Sequence, residues 1–147
     1  MIEQMSSTIK KHSAGGLLIV EGKVLLIHWD SPRDSYDFPK GTVEKNESPE
    51  SACIREVKEE TGYGTKIIQY IGRTRYDYDW VDGTHHDKAV DYFLLELDNG
   101  SVSTPQREVH ETFQNKWVST SMALKTLTRD IDKAILVKAL ELTGETI

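Results

Sequence analysis

The chain has 147 residues, close to the size of one domain and enough to bury a core. Its 24 acidic against 18 basic residues leave a net charge of −6, which argues against a duplex nucleic-acid binder, since that needs a basic footprint. The single Cys53 excludes an internal disulfide, and no apolar run reaches membrane-spanning length.

In chain order, Met1 to Lys11 is polar and lacks the apolar core of a signal peptide, so a cytoplasmic location is expected. Ala14–Val20 and Lys23–Trp29 are apolar runs joined by Glu21-Gly22, a two-residue hairpin turn. Tyr36 to Gly41 reads as a short strand ending in a loop, with Gly41 allowing backbone to come close to its neighbours. Ser48 and Pro49 start a helix, by a capping hydroxyl and a pre-set φ, and Gly62 stops it. On that helix Cys53, Ile54, Val57 and the Thr61 methyl form the packing arc, and Cys53 reads as core rather than reactive thiol.

Beyond Gly62, Thr65–Arg75 reads as a strand interrupted at Gly72, Asp77–Asp87 as a polar loop, and Ala89–Leu97 as a strand ended by Asp98-Asn99-Gly100. His85-His86 lacks a partner at metal-ligand spacing and reads as a solvated loop pair. Lys116–Ser119 is a short strand, followed by helices over Ser121–Leu127 and Asp130–Leu142. In the second helix, Ile131, Ala134, Ile135, Lys138, Ala139 and Leu142 keep a spacing that buries one face. No repeat or linker divides the chain, so residues 1–147 read as a single domain.

The chemistry is concentrated on the first helix. Glu56, Glu59 and Glu60 are i, i+3 and i+4 neighbours. Like charges at that spacing oppose one another by a few tenths of a kcal/mol, about 0.2–0.5 per pair, so a solvated helix gains nothing from them. A hard divalent cation reverses the sign. Carboxylates suit Mg²⁺, which completes its shell with water and substrate phosphates, and a metal-phosphate enzyme is the expectation.

Gly41, five residues, Glu47, seven residues, Arg55-Glu56-Val57, one residue, Glu59-Glu60, one residue and Gly62 is a pattern that resembles the complete Nudix hydrolase box. Only Tyr63 departs, where the family usually has an aliphatic residue, and that concerns packing behind the loop. The order of elements likewise resembles the Nudix α/β/α sandwich, an α/β fold with a mixed sheet and a loop–helix–loop catalytic box. The resemblance implies Mg²⁺-dependent cleavage, with Mn²⁺ as a substitute ion, of a nucleoside diphosphate linked to another moiety. It implies Glu56 and Glu60 as metal ligands, Glu59 as a third or water-mediated one, and the Lys40 carbonyl in the shell. Arg55 would orient Glu56 or another carboxylate, and Glu47 would brace the loop. A catalytic carboxylate is expected from Glu111, six residues before Trp117, by similarity to the diadenosine tetraphosphate hydrolase branch; Glu108 is the alternative.

Lys40 and Lys88 are candidate phosphate cations or solvated lysines. Tyr76, Tyr78 and Trp80 alternate so that all three share one strand face, to stack on a purine or to cover a sheet edge. The resulting expectation is a hydrolase of diadenosine tetraphosphate or a related dinucleoside polyphosphate. Oxidised nucleoside triphosphates, nucleotide sugars and ADP-ribose are alternatives, and a nucleotide-sensing domain without turnover is the reading from another class. The expected partner is a small nucleotide, with no duplex nucleic acid and no membrane, on a monomer or homodimer.

Overall fold

The computed structural model describes residues 8–102 and 112–144. Ten elements lie within them: β1 (Thr8–Val20), β2 (Lys23–Trp29), β3 (Tyr36–Asp37), β4 (Lys40–Thr42), α1 (Pro49–Thr61), β5 (Tyr63–Asp79), β6 (His85–Val102), β7 (Phe113–Ser119), α2 (Thr120–Thr126) and α3 (Asp130–Thr143). The seven strands form one mixed sheet in the order β3-β2-β1-β6-β5, with β4 on β1 and β7 on β2. β1 runs parallel to β6 over residues 8–18, and every other pairing is antiparallel.

Alternation along the central strands makes the sandwich, because successive side chains point to opposite faces. Leu18, Leu25, Phe93 and Leu95 pack with Ala52, Cys53 and Val57 of α1. Their neighbours Leu17, Val24, Leu26, Tyr92 and Leu94 pack on the other face with Ala123 of α2 and Leu136, Ala139 and Leu140 of α3. Cys53 is fully buried, its thiol donates to Gly15 O at 3.2 Å, and burial pushes that thiol up to about 12. It is a core residue, as its place on α1 suggests.

β1 changes partner on one edge: β4 pairs with its residues 13–15 and β2 with residues 19–20. Gly16 N donates to Pro39 O at 3.2 Å between the two. The Tyr36–Gly41 segment is therefore two short strands on different partners, β3 on β2 and β4 on β1, because β2 covers that edge of β1 only at residues 19–20 and leaves residues 13–15 open to β4.

The expected turn and helix ends are present. Glu21 and Gly22 both have positive φ, as a type I′ hairpin needs. Ser48 accepts the Ser51 N–H at 3.1 Å, and Gly62 closes α1 at φ 85°.

Several boundaries differ from the sequence reading. β1 starts at Thr8, within the polar leader, since its parallel partner β6 also reaches outward to His85. Asp77–Asp87 is not a loop. β5 and β6 pair from Tyr63↔Val102 to Asp79↔His85, with only Trp80–Thr84 as the turn. This ribbon projects past the core, so it needs no apolar alternation; cross-strand pairs stabilise it instead. Tyr78 stacks on His86 at 5.0 Å and 2°, and His85 reaches Asp79 at 2.8 Å and Asp77 at 3.3 Å. His86 is accordingly buried rather than solvated.

Gly72 bends β5 with a register shift without ending it, and β6 continues through Asp98-Asn99-Gly100. β7 begins at Phe113, three residues before the expected start. On α3 the buried stripe is Asp132, Ile135, Leu136, Ala139 and Leu140, while Ala134, Lys138 and Leu142 are exposed. Hydropathy misplaced that stripe because it cannot select an aspartate as an inward residue.

Asp91 of β6 holds three strands at once. It accepts from Arg73 Nε and Nη2 at 3.0 and 2.9 Å, from Tyr70 Oη at 2.7 Å on β5, and from His12 Nε2 at 2.6 Å on β1. Burial opposes its charge, but the Arg73, His12 and Tyr70 hydrogen bonds prevail and hold the carboxyl at about 2. A folded value below the unfolded one contributes stability above the ordinary aspartate range, lost as pH falls through the folded value. Asp91→Asn should cost about 2–3 kcal/mol of unfolding free energy at neutral pH. The difference from wild type should close as pH drops from about 4 towards 2. Urea unfolding across that range checks it, and a gap independent of pH would contradict the assignment.

Candidate functional site

Arg55 organises the acids of α1. Its Nε and Nη2 make a two-pronged contact with Glu47 at 2.8 and 2.9 Å, and Nη2 also donates to Thr42 O at 2.9 Å. Nη1 donates to Glu56 at 3.0 Å and Glu59 at 3.4 Å. The Arg55 hydrogen bonds, with the Glu44 N–H, hold the Glu47 carboxyl near 2. Glu47, Arg55, Glu56 and Glu59 thus form one charged unit that fastens the loop before α1 to the helix.

Glu60 turns the other way and accepts the Lys40 N–H at 3.0 Å. Between these two acids lies Gly41. A Cβ there would fall 2.0–2.3 Å from the Glu56 carboxylate, so glycine is required for that carboxylate to lie against the β4 backbone. Tyr63 meets Trp117 edge-on at 5.7 Å and its hydroxyl accepts the indole N–H at 3.3 Å, so the substituted position is packed away from the acids.

Lys40, Gly41, Thr42, Glu60, Lys88 and Arg33 line one cleft of about 190 Å³. The structure therefore brings Lys88, 48 residues further along the chain, beside Lys40 and the helix acids. Lys40 Nζ lies 3.9 Å from the buried Asp37, which also receives Arg33 at 3.3 Å. The Lys88 ammonium makes no hydrogen bond or ion pair with a described residue. Burial, then the charges of Lys40, Arg129 and Lys11, push its ammonium down to about 8. An ammonium so placed is stabilised by an incoming anion.

Tyr76, Tyr78 and Trp80 do share a face, with successive centroids 6.2 Å apart. Tyr76 borders the cleft, 6.0 Å from Lys88 Nζ, whereas Tyr78 and the exposed Trp80 lead away along the ribbon. Glu108 and Glu111 lie outside the described residues. No three acid or imidazole side chains among the described residues form a closed cage for an ion. Mg²⁺ does not need one, since it takes one or two carboxylates, waters and substrate phosphates.

Sequence reasoning missed Arg33, Asp37, Arg129 and Asp132. Arg129 left a readable signal, a cation where α3 begins. Asp132 left none, because its burial depends on which face of α3 meets the sheet.

Residues 10–139 match the NUDIX domain model, and the chain belongs to that family. It is 44% identical over 102 residues to the RNA pyrophosphohydrolase of Hahella chejuensis, covering 59% of this chain and 62% of that protein. The chain spans less than two thirds of the length of the curated relatives it matches. Among solved structures it resembles a C. elegans Ap4A hydrolase binary complex, with TM-score 0.66 and 26% identity, covering 91% of this chain and 98% of that one. A MutT NUDIX hydrolase from Burkholderia pseudomallei shares the fold at TM-score 0.66 and 20% identity, over 88% and 97% of the two chains. No helix among the described residues is long and apolar enough to cross a membrane.

Gly41→Ala should leave the fold intact, because the Glu56 carboxylate is the end of a flexible side chain and can swing away. The displaced acid should then weaken Mn²⁺ binding about 10- to 100-fold, the usual scale for disturbing a ligand's support. Manganese titration by EPR alongside a melting curve measures both. Unchanged Mn²⁺ affinity would separate Glu56 from any metal.

Proposed function

We propose that the chain, as a single domain, is a Mg²⁺-dependent pyrophosphohydrolase whose preferred substrate is a dinucleoside polyphosphate such as diadenosine tetraphosphate. One observation carries the reading: a desolvated Lys88, with no acid partner among the described residues, faces the same cleft as Glu60, next to the carboxylate of Glu56. Family membership and likeness to an Ap4A hydrolase support it.

In this reading Glu56 and Glu60, with Glu59, would hold Mg²⁺, which suits their carboxylate chemistry and the Gly41 cradle. The ion, when bound, neutralises phosphate charge and lowers the pKa of the attacking water. Arg55 keeps Glu56 in place and Glu47 keeps Arg55 in place, a supporting shell of charge-assisted hydrogen bonds. Lys40 and Lys88 bind phosphate oxygens past the acids. Of the three aromatic residues, Tyr76 is covered by Arg129 and Tyr78 stacks on His86, so the exposed Trp80 is the one placed to stack on a purine, an interaction of about 1–3 kcal/mol per base. Glu111 takes the proton of the attacking water. That role predicts that Glu111→Gln lowers kcat and alters the acidic limb of the pH–rate profile more than Glu108→Gln does; the opposite result moves the role to Glu108.

The deciding experiment is a Mg²⁺ hydrolysis panel with products identified: diadenosine tetraphosphate, an oxidised nucleoside triphosphate, a nucleotide sugar, ADP-ribose and a 5′-triphosphorylated RNA. Glu56→Gln and Glu60→Gln should each lose turnover by orders of magnitude while remaining folded. Lys88→Ala should lower kcat/KM several-fold more for the tetraphosphate than for ADP-ribose. Full activity in both glutamine variants ends the metal assignment, and a wild-type preference for ADP-ribose ends the substrate assignment.

A further inference from the structure

Arg129 breaks two local rules. It is the N-cap of α3, a position suited to a side chain that accepts a free amide, yet it makes no side-chain capping hydrogen bond. It also puts a positive charge at the positive end of the helix dipole, where a cation is disfavoured.

Its neighbour Thr128 carries the hydroxyl a cap needs, but uses it elsewhere. Thr128 Oγ1 accepts the Tyr36 N–H at 2.8 Å, and its own N–H returns to Tyr36 O at 3.3 Å. This pair of bonds clamps the α2–α3 connection to β3 and sets the position of Arg129. From there the half-buried guanidinium lies 4.4 Å over the ring of Tyr76. It makes no ion pair with an acid among the described residues.

The contacts run outward from the helix acids in a fixed order. Glu60 holds the Lys40 amide, Lys40 and Lys88 share the cleft, Lys88 borders Tyr76, and Arg129 covers Tyr76. Lys40, Lys88 and Arg129 thus converge, with Arg33 on the cleft wall, backed by two buried acids, Asp37 and Asp132, and Asp132 Oδ2 has no hydrogen-bond partner among the described residues. Cations gathered away from water, with one at the wrong end of a helix, lower folding stability. Such broken local rules mark functional positions.

We propose that Arg129 is a specificity-determining residue that binds a phosphate beyond those held at the carboxylate helix, so that the cleft selects chains of three or more phosphates. The inference rests on the pyrophosphohydrolase reading for the place of the first phosphates. The residue does not act on the reacting atoms; it sets the length of polyphosphate that the cleft prefers.

The test is equilibrium titration of the full chain, in Mg²⁺, with inorganic tripolyphosphate and with pyrophosphate. Arg129→Ala should weaken tripolyphosphate about tenfold and pyrophosphate less than twofold, and Arg129→Lys should recover part of the loss. The melting midpoint of Arg129→Ala should stay level or rise, because a misplaced charge has gone. Equal losses for the two anions overturn the proposal, as does a wild-type chain that binds tripolyphosphate no better than pyrophosphate. Neither probe is a nucleotide and neither measurement needs turnover. A failure here is therefore distinct from a failure of the hydrolysis panel.

Discussion

One guanidinium carries the site. Arg55 directs Nε, Nη1 and Nη2 to four acceptors, namely Glu47, Glu56, Glu59 and the carbonyl of Thr42. Without it three carboxylates would crowd one helix turn and its preceding loop with nothing to offset their repulsion. A lysine could not replace it, since an ammonium is a point charge that cannot match a planar, two-pronged contact while reaching two further acids. Fastening the loop also fixes β4, and β4 brings Gly41 beneath Glu56 and the Lys40 amide onto Glu60. The positions of the acids, the loop and the cleft floor therefore follow from the hydrogen bonds of one side chain.

The opposite wall is built on a different principle. There the cations are not matched one to one by acids: the Lys88 ammonium has no hydrogen-bond partner among the described residues, and Arg129 stacks on an aromatic ring. Lys40 turns towards Asp37 behind the cleft rather than towards the helix acids in front of it. Acids and cations thus line one cleft, with Lys40 reaching Asp37 rather than an acid of α1. That separation costs folding free energy, and the sheet offsets it elsewhere, through the buried Asp91 network and the two apolar layers. A negatively charged chain can attract an anionic ligand under these conditions because the attraction is local, from groups screened from bulk water.

The helix of acids, its caps, its stop at Gly62, the hairpin at Glu21-Gly22 and the burial of Cys53 were all legible in the residues alone. Each depends on neighbours within a few positions, where periodicity and backbone preference act directly. The alternation of Tyr76, Tyr78 and Trp80 was legible too, although their segment looked like a loop. A ribbon outside the core owes its stability to cross-strand partners such as His86, which lie too far along the chain for a local pattern to reveal.

The chemistry was written in the order of residues: three carboxylates on one helix arc, an arginine and a glutamate to hold them, and a glycine where side chains would intrude. Which distant groups face that arc depends on how the layers pack. The pairing of β1 with β6 sets Lys88 beside Lys40, and the rotation of α3 buries Asp132 where hydropathy would have chosen Ala134 or Leu142. The Thr128 clamp on Tyr36 sets Arg129 over the ring of Tyr76, which in turn lies beside Lys88. These placements follow from strand order and from packing between layers, which act across dozens of residues and leave no periodic trace in the chain.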